Sequence, residues 1–594
     1  MKKKILCLLI IILSAGNLVF SQINPEITSS ELKAHVYFLA SDSLKGRKPG
    51  TPESGIAAAY ICNNFRNDKL KLLDVDGFQS FDLITDMKAG TNNSFLFNGF
   101  TGKINEDFIP LSFSANARLQ AEIVFAGFGF DVDFDSISLH DYQNVDVKGK
   151  WVMILRGEPD PNNSNSPFVN VSQERSKMLT AKDKGAAGII FVTGVEMNDK
   201  DRLIPLAYDM TASDAGIPVI NITRKVADLL LKSTQKSIEE IEKELIKSKA
   251  SGSFYLPVTI DASTEVIPVK AKAQNIVALL EGSDPVLKNE YIVVGAHYDH
   301  LGFGGKNSGS RMPDTVAIHN GADDNASGVA AVLELAQKLA SEHINLKRSI
   351  LFVTFDAEEM GMIGSKYFIK HPPVAKDEIK AMINLDMIGR LKPDSKVISI
   401  GGTGTATELD SILTIVSADR IFTLSRSPEG YGPSDHAAFY SENIPVLFFT
   451  TGAHEDYHTP MDKADKIDYD SEAETAKMAD QLVFILATMD KPLTFKEAGP
   501  KAQPESGRRL KVTLGIVPDF ASTDKKGLGV DGVRKDGPAD RGGIKKGDLI
   551  VAMNGQLVTN IYDYMSRLQK LKHGQTVIVE VIRNGKKEVL LIQL

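Results

Sequence analysis

Four apolar runs in this 594-residue chain end at side chains that bind metals or carry protons. Residues 291–296 lead to His297, residues 350–355 to Asp356 and then Glu358 and Glu359, residues 382–385 to Asp386, and residues 446–449 to a loop bearing His454 and His458. A single Asp or His at a strand end usually caps or hydrogen-bonds the backbone. Five candidates at the ends of successive strands and loops point to one cleft instead, because ligands of open parallel sheets collect at the carboxyl ends of the strands. Two histidines with several carboxylates and no cysteine suit zinc or a similar divalent ion.

The local patterns divide the roles further. In His297-Tyr298-Asp299 a carboxylate follows a histidine by two residues, where it can accept the second ring N–H and orient the imidazole. In the run 321–328, Gly-Ala-Asp-Asp-Asn-Ala-Ser-Gly, small residues permit close backbone approach before a helix that continues through Val329, Leu333 and Ala336. A carboxylate at that helix start, Asp324, can bridge two cations. The adjacent pair Glu358-Glu359 can split between metal ligand and proton carrier.

Positioning these residues requires a sheet. From about residue 273 to 489, short buried-type strands alternate with longer helical patterns, which predicts an α/β fold with a mostly parallel-type sheet flanked by helices. Ahead of it, Thr28-Ser29-Ser30-Glu31 has capping-box spacing before Leu32, Val36 and Leu39. Thr51-Pro52-Glu53 opens a second helix, expected to run to about Phe65. Residues 120–256 switch to short apolar runs between polar turns, as in a separate mixed α/β module. Residues 491–509 read as a linker and 510–594 as a final domain.

Residues 1–21 have the order of an export signal: three lysines, an apolar stretch from Ile5 to Leu13, and Val19-Phe20-Ser21 as a cleavage site before Gln22. The apolar stretch is short for a membrane span, so stable membrane insertion is not expected after its removal. Cleavage leaves Cys62 as the sole cysteine, which excludes an internal disulfide. With 76 acidic against 68 basic residues and no basic block, nucleic acid is not an expected partner. His-Glu-x-x-His is absent, no nucleophilic serine elbow occurs, and the glycine run 527–532 lacks the strand–turn–helix context of a dinucleotide site.

Five segments together carry a resemblance: GAHYDHLG, GADDNASG, DAEEMGMIGS, NLDMIG and YHTPMD are similar, in order and spacing, to the di-zinc family of bacterial leucyl aminopeptidases and glutamate carboxypeptidases. The match covers roughly residues 24–119 and 257–490, the two parts of the expected catalytic domain. It implies a zinc exopeptidase fold and two zinc ions, with His297 and Asp386 on one, Glu359 and His458 on the other, and Asp324 between them. It also implies Glu358 as general base, and Tyr457 either as a donor to the oxyanion or as packing. Ser434-Asp435-His436 resembles a family loop near the cleft, and support of the ligands is its expected role. The same metal core serves aminopeptidases, carboxypeptidases and dipeptidases, so substrate polarity stays open. A non-catalytic adaptor would lack one or more ligands, whereas all five are present.

Two further resemblances concern the flanking regions. YQNVDVKGKWVMILRG, AKDKGAAGIIFVTG and IPVINIT resemble a protease-associated (PA) domain, a module that covers or extends a peptidase cleft. VTLGI, GPADRGGIKKGDLIVAMNG and VEVIRNGKKEVLLIQL resemble a PDZ domain, whose loop at Leu514, Gly515 and Ile516 would receive a peptide carboxylate. The combined expectation is an exported, periplasmic or secreted peptidase that acts on peptides.

Overall fold

The computed structural model describes residues 26–594 except 135–136, 162, 164–165, 209–214, 307, 342–344, 500–511, 520–526, 534–536, 559–563, 565–566 and 569–570. The expected export signal and most of the expected linker lie outside the described residues. Among those described, no helix is long and apolar enough to cross a membrane.

A nine-stranded sheet carries the strand-end candidates. Its centre runs Ser349–Phe355, Tyr291–His297, Ile379–Leu385, Val446–Thr450, and these four strands are parallel to one another. Parallel neighbours need crossovers, supplied here by the helices Gly328–Ser341 and Ile363–Lys370. Outside this centre the sheet turns antiparallel: Val266–Leu280 flanks Ser349–Phe355, and Val397–Gly401 flanks Val446–Thr450. The central strands are apolar along almost their whole length because both faces are covered. Ile292, Val294, Phe352 and Ile383 meet the helices Ser29–Leu39, Pro52–Asn67, Gly328–Ser341 and Tyr469–Thr488. Val293, Leu351 and Val353 on the opposite face meet Phe368 and Phe439.

The two N-terminal helices form as their caps predict. Thr28 Oγ1 accepts from the Glu31 amide and Thr51 Oγ1 from the Ser54 amide, both at 3.3 Å. The second helix continues to Asn67, two residues beyond the expected Phe65.

An antiparallel ribbon of Phe78–Ala89 with Val266–Leu280 leads from this sheet toward an eight-stranded one. The second sheet includes Ala117–Phe125, Trp151–Leu155, Gly188–Val192 and Val219–Ile222, all in parallel pairings with one another. It also takes up Ser94–Phe97, Phe100–Thr101 and Phe108–Pro110, ahead of the boundary expected at residue 120. Phe95, Phe97 and Phe108 explain this, since they are buried in the same core as Trp151 and Ile190. A third sheet of six strands spans Ile516–Asp519 to Lys586–Gln593, with Ile516–Asp519 at its edge.

Candidate metal centre

Register brings the candidates together. Gly295 lies opposite Asn384, so His297 and Asp386, each two residues further on, are level at the carboxyl edge. His297 lies opposite Phe355, which places the turn bearing Glu358 and Glu359 beside it. Asp324 enters from the turn Ala322–Ser327 just before the helix Gly328–Ser341. Three non-glycine residues on these loops, Ala357, Met387 and His458, hold left-handed φ values of 59°, 58° and 55°. Such conformations cost energy and cluster at functional sites, where the surrounding structure enforces them.

Asp324 sits at the middle of the group. Its Oδ1 is 3.2 Å from His297 Nε2 and its Oδ2 is 3.1 Å from His458 Nε2. His297 Nε2 also lies 3.5 Å from Asp386 Oδ1, and His458 Nε2 lies 3.0 Å from Glu359 Oε2. Both imidazoles are held from behind: His297 Nδ1 donates to the Asp299 carbonyl at 3.2 Å and His458 Nδ1 to the Gly309 carbonyl at 3.1 Å. That fixes the tautomer and leaves each Nε2 lone pair facing the carboxylates, the orientation a metal requires. Asp324 Oδ2 and Asp386 Oδ1 are buried without a hydrogen-bond partner. Buried carboxylate oxygens are costly when unpaired, and a divalent cation among these oxygens and nitrogens supplies the missing partner. The residues therefore fit a divalent cation, and the ligand atoms gather in two groups with Asp324 common to both, His297–Asp324–Asp386 and His300–Asp324–Glu359.

The charges tell the same story. Burial alone would lower the His458 pKa, but Glu359 and Asp324 overcome it and lift it to about 11. His297 is likewise driven well above the ordinary histidine value, by Asp386, Asp299 and Asp324 against burial. Burial and Asp324 push the Glu359 carboxyl up, yet His458 and His300 bring it down to about 2. Three ligand carboxylates in one buried space demand positive charge, and bound cations would take over from the histidine protons. Glu358 behaves differently: burial, followed by its carboxylate neighbours Asp435, Glu359 and Asp386, raises it well above the usual range against the pull of His297. Its surroundings dispose it to take up a proton.

The support around the ligands partly departs from the expected pattern. Asp299 faces His297 Nδ1 at 3.6 Å, but the nearer acceptor is its own backbone carbonyl. Its carboxylate instead accepts the amides of Glu358 at 3.0 Å and Glu359 at 3.2 Å, so it anchors the glutamate turn rather than the imidazole alone. Tyr457 stacks on His458 with ring centroids 3.9 Å apart, and burial followed by Asp324 and Glu359 keeps its phenol protonated and thus a donor. Ser434 accepts from Asn384 Nδ2 at 2.7 Å, Asp435 is lifted to about 7 by burial, and His436 is held neutral, at about 3, while stacking on Phe448.

Three other residues at the centre, His300, Asp323 and Asp462, lie inside the segments GAHYDHLG, GADDNASG and YHTPMD, but their spacing alone gave them no role. His300 Nδ1 donates to Glu359 Oε1 at 2.7 Å and lies 3.8 Å from Asp324 Oδ2, so it too could ligate a cation held by Asp324 and Glu359. Asp462 accepts the amides of Asp323 and Asp324 at 3.0 Å, fixing the peptide that carries the shared carboxylate. Asp323 in turn accepts from the Gly389 amide at 2.7 Å and faces His454 Nε2 at 3.2 Å, tying together the loops of Asp324, Asp386 and His458.

Residues 275–483 match the model of peptidase family M28. This part of the chain is an M28 peptidase domain. Residues 119–230 match the PA domain and residues 512–594 the PDZ domain, so the chain carries both modules beside its peptidase domain. Aminopeptidase YwaD of Bacillus subtilis (strain 168) is 25% identical over 523 residues, covering 84% of this chain and 97% of its own. Leupeptin-inactivating enzyme 1 of Streptomyces exfoliatus is 31% identical over 209 residues, 33% of this chain and 39% of its own. The solved structure of a zinc aminopeptidase from Bacillus subtilis aligns over 79% of this chain and 97% of its own, at 21% identity and a TM-score of 0.45.

Proposed function

We propose that this M28 peptidase is an exported di-zinc aminopeptidase that removes residues from the amino ends of peptides. The observation that carries the reading is the convergence of His297, Asp386, Asp324, Glu359 and His458, with one Asp324 oxygen toward each histidine. Two histidines with carboxylates and no thiolate favour zinc. Amino-end polarity rests on the similarity to aminopeptidase YwaD, which spans 97% of that protein. Export rests on residues 1–21 of the sequence.

Paired zinc ions supply Lewis acidity, polarising the scissile carbonyl and acidifying water. The chain supplies the rest. His297 and Asp386 would hold one ion, Glu359 and His458 the other, and Asp324 would serve both. Glu358 takes the proton of the attacking water and passes it to the leaving amine. Asp299 holds the Glu358–Glu359 turn, and with it both base and ligand, through the two backbone amides. The Tyr457 phenol donates to the oxygen of the carbonyl under attack. Residues 120–256 serve as a PA module at the cleft, 491–509 as a linker, and the loop Leu514, Gly515 and Ile516 beside the edge strand Ile516–Asp519 as a dock for peptide carboxylates.

The deciding experiment digests one peptide in three forms, free-ended, N-acetylated and C-amidated. The aminopeptidase reading expects acetylation to stop cleavage and amidation to leave it intact. Cleavage that survives acetylation and is blocked at the carboxyl end would make the protein a carboxypeptidase.

A further inference from the structure

One cation reaches into the metal centre from outside the matched peptidase region. Arg47 sits in the loop between the two N-terminal helices and is 1% exposed. Its guanidinium makes four hydrogen bonds, all to backbone carbonyls. Nε donates to Tyr298 at 2.7 Å, Nη1 to Leu39 and to Asn320 at 2.7 Å, and Nη2 to Gly321 at 2.9 Å. Tyr298 directly follows His297, and Asn320 and Gly321 precede Asp324 by four and three residues. The Arg47 fork therefore spans the gap between the strand end bearing one histidine ligand and the turn bearing the shared carboxylate.

The backbone on either side of Arg47 is built into the same place. The Gly46 carbonyl accepts the Gly302 amide at 3.0 Å, and the Arg47 carbonyl accepts the His300 amide at 3.3 Å. Gly46 has a left-handed φ of 74°, and a Cβ there would lie 2.4 Å from the His319 carbonyl oxygen, so only glycine fits. A buried guanidinium bonded to neutral carbonyls is expensive unless negative charge lies near. The charges acting on it are the carboxylates of Asp324, Asp299, Asp462 and Glu359, all four of which would ligate metal or hold the turns that carry the ligands.

We infer that Arg47 is a positioning residue of the dinuclear centre, fixing the spacing between His297 and Asp324 that sets metal affinity. This rests on the metal-binding reading above. Partners behind metal ligands typically govern affinity by about 10–100-fold, and this one acts on both positions because Asp324 is common to them. Lysine keeps the charge but cannot reach four carbonyls from one planar fork.

The test measures zinc dissociation constants by chelator competition for wild type, Arg47→Lys and Arg47→Gln, with the melting temperature of each protein zinc-loaded and zinc-stripped. The expected result is at least about tenfold weaker zinc binding in Arg47→Gln, an intermediate loss in Arg47→Lys, and a smaller rise in melting temperature on loading in both. A purely structural role would lower both melting temperatures together and leave the zinc constants and the loading-induced rise unchanged, which would overturn the inference. Wild type that binds no zinc would overturn the metal reading itself, a distinct outcome. Should Arg47→Gln not fold, the Arg47→Lys constants decide: equality with wild type refutes the role.

Discussion

Asp299→Asn tests the support of the catalytic turn without emptying it. Asp299 is fully buried, and its two oxygens accept the amides of Glu358 at 3.0 Å and Glu359 at 3.2 Å. Asparagine keeps the volume and one acceptor, but turns the other oxygen into an NH2 group that faces an N–H donor. Losing one charge-assisted bond costs about 1.5–3 kcal/mol, and weakening the other to a neutral bond costs about 1 kcal/mol more. The catalytic-domain transition should therefore be destabilised by about 2.5–4 kcal/mol. Freeing the turn displaces Glu358 and Glu359 together, so kcat/KM should fall by about 10–100-fold, with a parallel loss of zinc affinity. Calorimetry, steady-state kinetics and chelator competition on the same preparation read all three. A variant with kcat/KM within about twofold of wild type and an unshifted transition would refute the assignment of Asp299 as the anchor of this turn.

Replacing Glu358 with Gln should lower kcat by at least about 10²-fold while zinc content and peptide binding change little, because the amide cannot accept the proton. Replacing Glu359 with Gln should instead deplete zinc, and added zinc should partly restore rate; metal analysis of the two variants side by side would expose a reversed assignment. Removing residues after Pro504 should spare hydrolysis of small chromogenic substrates and slow only longer peptides; equal losses on both would make the third domain structural. Amino-terminal sequencing of protein from the envelope fraction should begin near Gln22, and recovery of Met1 would contradict export.

Much of the centre was legible because a parallel sheet delivers its ligands at strand ends, so apolar runs closing on His297, Asp386 and the Glu358–Glu359 turn announced themselves locally. The rest of the centre is held by long-range contacts with no periodic signal. Arg47 bonds the Tyr298 carbonyl across 251 residues, and Asp462 bonds the Asp323 amide across 139. His300 was hidden because its closeness to Glu359 depends on how two separate loops fold back on one another. Asp299 was half understood: spacing placed it beside His297, but only the fold showed that two neighbouring amides take its carboxylate. Likewise residues 94–110 form strands too short to reveal which sheet they join, and the phenylalanines they bury decide it.

The central claim is that Asp324 is shared by two metal ions, one oxygen toward each histidine. Elemental analysis of wild type, His458→Ala and Asp324→Ala after identical zinc loading and desalting tests it most directly. The account predicts about two zinc ions per wild-type chain, loss of mainly one in His458→Ala, and loss of both in Asp324→Ala. Full zinc retention in Asp324→Ala would contradict it.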